Sequence, residues 1–266
     1  MLTLDRRFTF EGHEVAWGVL GDGPPIVLVH GFPWSAQAWR RIAPWLARRR
    51  RVFFHDLLGS GLSAKADDVS PRVQNRLLAA LLDHWGLDRP HVVGHDFGGL
   101  AALRGRFVDG LDYGRLTLFD AVGVLPSGSP FFAHVREHEA AFAALPEFAH
   151  EALFRAYIAQ AAAAPLSPEA EAIYAEPWRG PDGQAAFYRW IAQSETDAIG
   201  ELAELYRPLD CPVRLVWGER DTFIPPAQGR ELAVALGLDD VTIVPGAGHA
   251  IQEDAPEAVV AMLEET

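Results

Sequence analysis

The chain has 266 residues, 49% of them hydrophobic and 22% charged, which suits one large domain or two small ones with a sizeable core and excludes disorder and collagen-like repeats. A formal net charge of −13 argues against a nucleic-acid partner, because binding phosphates needs a positive surface. No apolar run approaches the roughly 18 residues that span a bilayer, the opening MLTLDRRFTFEGHEV lacks an apolar signal core, and one cysteine allows no internal disulfide, so a cytoplasmic protein without membrane contact is expected.

In chain order, Phe8 to Leu20 (FTFEGHEVAWGVL) reads as an antiparallel hairpin turning near Gly12. Pro25–His30 (PIVLVH) follows as a buried strand, and the basic run Arg48–Arg51 reads as a solvated helix end, where cations complement the dipole. Then strands and helices alternate: Val52–His55, helix Arg76–Trp85, strand His91–His95, helix Leu100–Phe107 and strand Leu116–Phe119. After a long break come strand Val213–Trp217, helix Ala227–Leu236, strand Val241–Val244 and helix Ala255–Leu263. Near-continuous apolar runs suit strands covered on both faces, and the alternation predicts a mostly parallel sheet with crossover helices. Cys211, before Pro212 at the edge of an apolar run, reads as a small buried filler.

The break runs from Val124 to Tyr206, Ala-rich and helical in pattern, entered through PSGSP (126–130) and left through RPLDCP (207–212). The expected architecture is therefore an α/β core of residues 1–123 and 207–266 with a helical lid, 124–206, inserted over the C-terminal edge of the sheet. Ligands bind at that edge in open α/β folds.

The strongest chemical signal is Gly94-His95-Asp96-Phe97-Gly98-Gly99, between a strand and a helix. It has the G-x-Nu-x-G form of a strained turn that presents its central side chain at the sheet edge. Here that side chain is a carboxylate, ionised at neutral pH and able to attack an sp³ carbon without a base. The resulting ester needs activated water for its hydrolysis, hence a histidine held in one tautomer by a second carboxylate. His249 follows strand Val241–Val244 in a small-residue loop, and Asp221 follows strand Val213–Trp217. Asp120, after Leu116–Phe119, competes with Asp221 for the orienting role, although a structural strand-end aspartate is commoner there. The N–H groups of Phe32 and Phe97 are the candidate oxyanion donors. Trp34, just past them, is a candidate wall of the pocket mouth, whereas His95 should point into the core.

Two further patterns match known sites. His134-Val135-Arg136-Glu137-His138 fits an H-x-x-E-H zinc motif but lies amid surface-like charges with no third ligand in view. Gly59-Ser60-Gly61-Leu62-Ser63-Ala64 fits a loose dinucleotide fingerprint, yet a polar, proline-broken stretch follows where a helix should open. No metal and no cofactor are expected.

Over nearly its whole length the chain resembles the α/β-hydrolase superfamily, which uses this chain order of nucleophile, acid and histidine. Asp56-Leu57-Leu58-Gly59-Ser60-Gly61-Leu62-Ser63 is similar to its D-x-x-G-x-G-x-S loop, and His30-Gly31-Phe32-Pro33 with Gly94-His95-Asp96 looks like the branch of epoxide hydrolases and haloalkane or haloacetate dehalogenases. Within that branch, haloalkane dehalogenases hold halide between an early-loop asparagine and a tryptophan after the nucleophile, where this chain has Phe32 and Phe97. Haloacetate dehalogenases place arginine where Phe97 stands. Epoxide hydrolases resemble the chain better at HGFP and protonate the epoxide oxygen with lid tyrosines; Tyr188 resembles the second of that pair, and Tyr157 is a candidate for the first. The resemblance implies hydrolysis of a small, largely apolar epoxide through an Asp96 ester. A hydrolytic dehalogenase with the same triad is the alternative, and a non-catalytic small-molecule binder on the same scaffold is a third reading.

Overall fold

The computed structural model describes residues 1–194 and 196–265. Strands β1 (Arg6–Phe10) and β2 (His13–Leu20) form the opening hairpin. Its two turn residues, Glu11 and Gly12, have φ of 47° and 84°, the mirror-image turn whose twist matches paired strands. Six more strands follow: β3 (Pro25–Val29), β4 (Arg51–His55), β5 (His91–His95), β6 (Arg115–Phe119), β7 (Val213–Gly218) and β8 (Thr242–Val244). The eight make one sheet in the order β1-β2-β4-β3-β5-β6-β7-β8, antiparallel only where β2 joins it.

Strand side chains alternate between faces, so each central strand feeds two separate cores. Ile26, Leu28, Phe54 and Val93 pack on one face with α1 (Ala43–Leu46), α11 (Ile251–Asp254) and α12 (Pro256–Glu264). Val27, Val29, Phe53 and Val92 pack on the other with α2 (Pro71–His84), α3 (Phe97–Phe107) and α10 (Pro226–Leu236). Helix α2 begins five residues before the expected Arg76. Pro71, read as a breaker, is instead its first residue, where a missing N–H costs nothing and the fixed φ fits.

Between β6 and β7 the described residues contain helices and no strand: α4 (Pro130–Glu137), α5 (Glu139–Ala143), α6 (Glu147–Ile158), α7 (Pro168–Ala175), α8 (Gly180–Gln193) and α9 (Asp197–Ala203). Ser129 and Ser167 cap α4 and α7, each followed by a helix-opening proline. This helical segment packs on the loop after β3: the Phe32 ring meets Trp178, Phe187 and Trp190, with centroids 5.1–5.5 Å apart. The Trp178 and Trp190 indoles donate to the carbonyls of Pro33 (2.8 Å) and Leu58 (3.2 Å). Cys211 is buried. Among the described residues no helix is long and apolar enough to cross a membrane.

Candidate active site

Asp96 directly follows strand β5, and its φ of 53° puts a non-glycine residue in the left-handed region and turns the chain sharply into α3. The turn closes because its neighbours have no side chains. A Cβ on Gly98 would lie 2.3 Å from the Val29 carbonyl oxygen, and one on Gly94 would lie 2.7 Å from that of Gly98. Gly31 is equally constrained, since a Cβ there would lie 2.2 Å from Asp96 Oδ1. That close approach lets the Phe32 N–H donate to Asp96 Oδ1 at 2.8 Å. Phe97 opens α3, where the first N–H groups have no intrahelical acceptor.

The other Asp96 oxygen, Oδ2, lies 3.5 Å from His249 Nε2. His249 Nδ1 donates to Asp221 Oδ2 at 3.0 Å, and the N–H groups of Phe223 and Ile224 donate to Asp221 Oδ1. Burial disfavours the His249 imidazolium, but Asp221 and then Asp96 outweigh it, so its pKa stands well above the usual histidine value. Carboxylate, imidazole and second carboxylate from three distant segments thus stand in one line, hydrogen-bonded between His249 and Asp221 and in ion-pair contact between His249 and Asp96. A line of this kind can attack an electrophile, generate hydroxide from water, and hold an oxyanion on backbone N–H groups.

Asp96, Phe32 and Phe97 open into a cavity of about 530 Å³. Tyr157 lines it from the end of α6, its ring stacked on Phe223 at 5.1 Å and its hydroxyl within the field of Asp96. Burial, and then Asp96, hold that phenol well above its ordinary pKa, so it stays protonated. Tyr188 is not part of the wall. It is buried in the helical segment, and its hydroxyl meets His150 Nδ1 at 3.1 Å, while His150 Nε2 is 3.0 Å from the Trp178 carbonyl oxygen. Trp34 also lies outside the wall, buried with its ring centroid 4.6 Å from Tyr174. His95 is fully buried and, through Nε2, holds the His249 carbonyl oxygen at 2.9 Å.

Sequence reasoning missed the braces. His30 Nε2 accepts from the Leu57 N–H at 2.9 Å while Nδ1 meets the Gly31 carbonyl at 2.8 Å, fixing one tautomer and the loop that carries Phe32. Asp56 accepts from the N–H groups of Ala36 and Leu62, both at 2.7 Å. Both residues stand in motifs singled out above, but nothing local says that one loop binds the other. The wall residues Phe131, Phe132 and Phe223 gave no signal beyond their apolarity.

Comparison with known proteins adds the lineage. A solved α/β-hydrolase-fold protein from Burkholderia ambifaria is 56% identical, with a TM-score of 0.98 over 100% of this chain and 99% of its own. Among curated proteins, the dihydrolipoyllysine-residue acetyltransferase component of the acetoin cleaving system of Pseudomonas putida is 29% identical over 93% of this chain, which spans only 65% of that protein's length. The soluble epoxide hydrolase of a Corynebacterium species is 33% identical over 45% of this chain and 43% of its own. Haloalkane dehalogenase 2 of Mycobacterium tuberculosis is 28% identical over 91% of this chain and 87% of its own. The sequence profile of one family matches residues 26–262, from the start of β3 into α12, and takes in the elbow, Asp221 and His249: the chain belongs to the alpha/beta hydrolase family.

Proposed function

We propose that this protein hydrolyses small, largely apolar epoxides through an ester formed on Asp96. The observation that carries the reading is an elbow carboxylate, an imidazole and one protonated phenol, Tyr157, converging on an aromatic cavity. Phe32 N–H occupies Oδ1, so Oδ2 attacks the epoxide carbon. The carbon–oxygen bond breaks, and the oxygen takes the Tyr157 proton, giving a hydroxyalkyl ester. Water then loses a proton to His249 and attacks the ester carbonyl. The oxyanion rests on the N–H groups of Phe32 and Phe97 and collapses to the diol and free Asp96, and the proton on His249 returns through solvent to the phenolate.

The His249 environment fits that sequence of events. Esterification removes the Asp96 charge, so only Asp221 is left to offset burial, and the imidazole pKa falls when water must be activated. In this reading residues 124–206 form a cap that keeps bulk water from the ester. Dehalogenation is less well supported. The Trp178 and Trp190 N–H groups beside Phe32 already bond carbonyls and cannot cradle a halide, and no lysine or arginine lines the cavity among the described residues to bind a haloacetate carboxylate.

Intact-protein mass spectrometry of a His249→Gln variant tests the proposal with styrene-type epoxides and haloacetates. Asp96 should still be alkylated and the ester should persist. An added mass equal to the whole epoxide, mapped to Asp96, is expected. An adduct from haloacetates alone, short by the halide, would replace this reading with the dehalogenase. Tight binding with no adduct would make the protein a binder.

A further inference from the structure

Asp120 directly follows β6 and is completely buried, with a φ of 43° that turns it toward the neighbouring strand. Its backbone N–H joins the Val216 carbonyl at 3.0 Å, so the residue sits where β7 leads to Asp221. Its carboxyl is in hydrogen-bonding contact with that of Asp221, and His249 is the other charge it faces. Two carboxylates cannot share a hydrogen bond unless one carries a proton.

The donors around the pair decide which one does. Asp221 receives three: the N–H groups of Phe223 and Ile224, and His249 Nδ1. Asp120 receives one, the Gly218 N–H at 2.7 Å on Oδ1, while its Oδ2 is buried with no donor. A buried anion on Asp120 would be stripped of water and scarcely compensated, whereas Asp221 has the partners an anion needs. We propose that Asp120 is a neutral carboxylic acid whose hydroxyl donates to Asp221, fixing the carboxylate that orients His249. This assignment rests on the triad of the preceding section, with Asp120 as a positioning residue behind it. Burial first, and the Asp221 charge second, push Asp120 well above the carboxylate range, in keeping with the donor inventory.

The test uses the fact that asparagine copies a protonated aspartate. Its amide oxygen can keep the Gly218 contact and its NH₂ can donate to Asp221. Infrared spectra of the whole protein at neutral pH should contain a protonated-carboxyl C=O stretch that is lost in Asp120→Asn and kept in Asp221→Asn. A band lost instead in Asp221→Asn, or no such band, overturns the proposal.

Thermal melting gives a second readout, with the sign set by linkage. A carboxyl whose folded pKa is raised contributes stability that is full below the unfolded value and is lost as pH climbs through the folded one. The melting temperature of Asp120→Asn relative to the parent should therefore rise with pH above the ordinary carboxylate range; a difference independent of pH argues against a retained proton. Neither readout needs a substrate, so both stand or fall independently of the epoxide chemistry. Once a substrate is in hand, Asp120→Ala should lower kcat by about tenfold or more, the loss expected for a hydrogen bond to a charged group, with Asp120→Asn recovering most of it. Equal losses in the two variants would mean that the shape of Asp120, and not its donated proton, is what matters.

Discussion

At the scale of single residues, the cavity separates two tyrosines that the sequence could not. Asp96, Asp221 and His249 were legible because each sits in a short strand–loop motif whose local chemistry is self-sufficient. Tyr157 and Tyr188 are both aromatics on helices, and which one faces Asp96 depends on how those helices pack. Tyr188 meets His150, whereas Tyr157 faces the carboxylate. Tyr157→Phe keeps the ring against Phe131 and Phe223 and removes only the hydroxyl, so under the proposed function epoxide opening should slow by about 10²- to 10⁴-fold with an unchanged far-ultraviolet spectrum. Tyr188→Phe should cost about 1 kcal/mol of stability and leave kcat within a few-fold. Steady-state rates of the two variants side by side check the assignment, and the opposite ranking would reverse it. A neighbouring prediction concerns charge. Asp96→Asn removes one of the two anions that raise His249, so the His249 pKa should fall relative to the parent in an NMR titration. The shift would mimic what esterification does to the base.

At the scale of elements, apolar runs and turn residues located the strands, while the helices between β6 and β7 stayed indistinct. Their partners explain why. Trp178 and Trp190 are anchored on carbonyls more than a hundred residues earlier, and the Ala-rich pattern carries no trace of that. Two further ties bind this segment to the core. Tyr174 of α7 joins Arg40 and Glu253 in a half-buried cluster. Asp254 Oδ2 accepts from the N–H groups of Gly248 and Ala163, both at 2.8 Å, while the Ala250 N–H donates to the Ala161 carbonyl. The turn after α6, four to six residues past Tyr157, is therefore strapped to the loop bearing His249, which holds the Tyr157 phenol and the His249 imidazole in one frame. Asp254→Ala leaves three N–H groups, those of Gly248, Ala163 and Ala164, without their acceptor. It should cost about 1–3 kcal/mol, with faster hydrogen exchange confined to the loops around Ala163 and Gly248. Exchange that rises uniformly across the sheet would instead mean that Asp254 supports the whole fold.

At the scale of the whole molecule, the sheet's two-sided burial has a price in acid. His55, His91 and His95 lie on β4 and β5, and burial, ahead of any neighbouring charge, pulls each pKa down to about 3. Each is neutral when folded and protonates near its ordinary value, about 6.5, once unfolded. A depressed folded pKa gives stability that is full above the unfolded value and is lost as pH falls toward the folded one. Between about pH 6 and 4 these three histidines would each release about 1.4 kcal/mol of stability per pH unit. His249, raised rather than lowered, is charged in both states over that range and adds little slope. The proton retained by Asp120 opposes the trend by about one over most of that range, and by less only near pH 4, where the unfolded carboxyl also begins to protonate. The three histidines and Asp120 together give an uptake of about two protons on unfolding, or roughly 3 kcal/mol lost per pH unit, and His30 and His150, whose pKa values burial also lowers, add to that slope. Urea titrations at a series of pH values measure this directly. His91→Gln, at the less crowded start of β5, should reduce the slope by about one proton whatever it does to absolute stability. An unchanged slope would mean that His91 already takes its proton in the folded sheet.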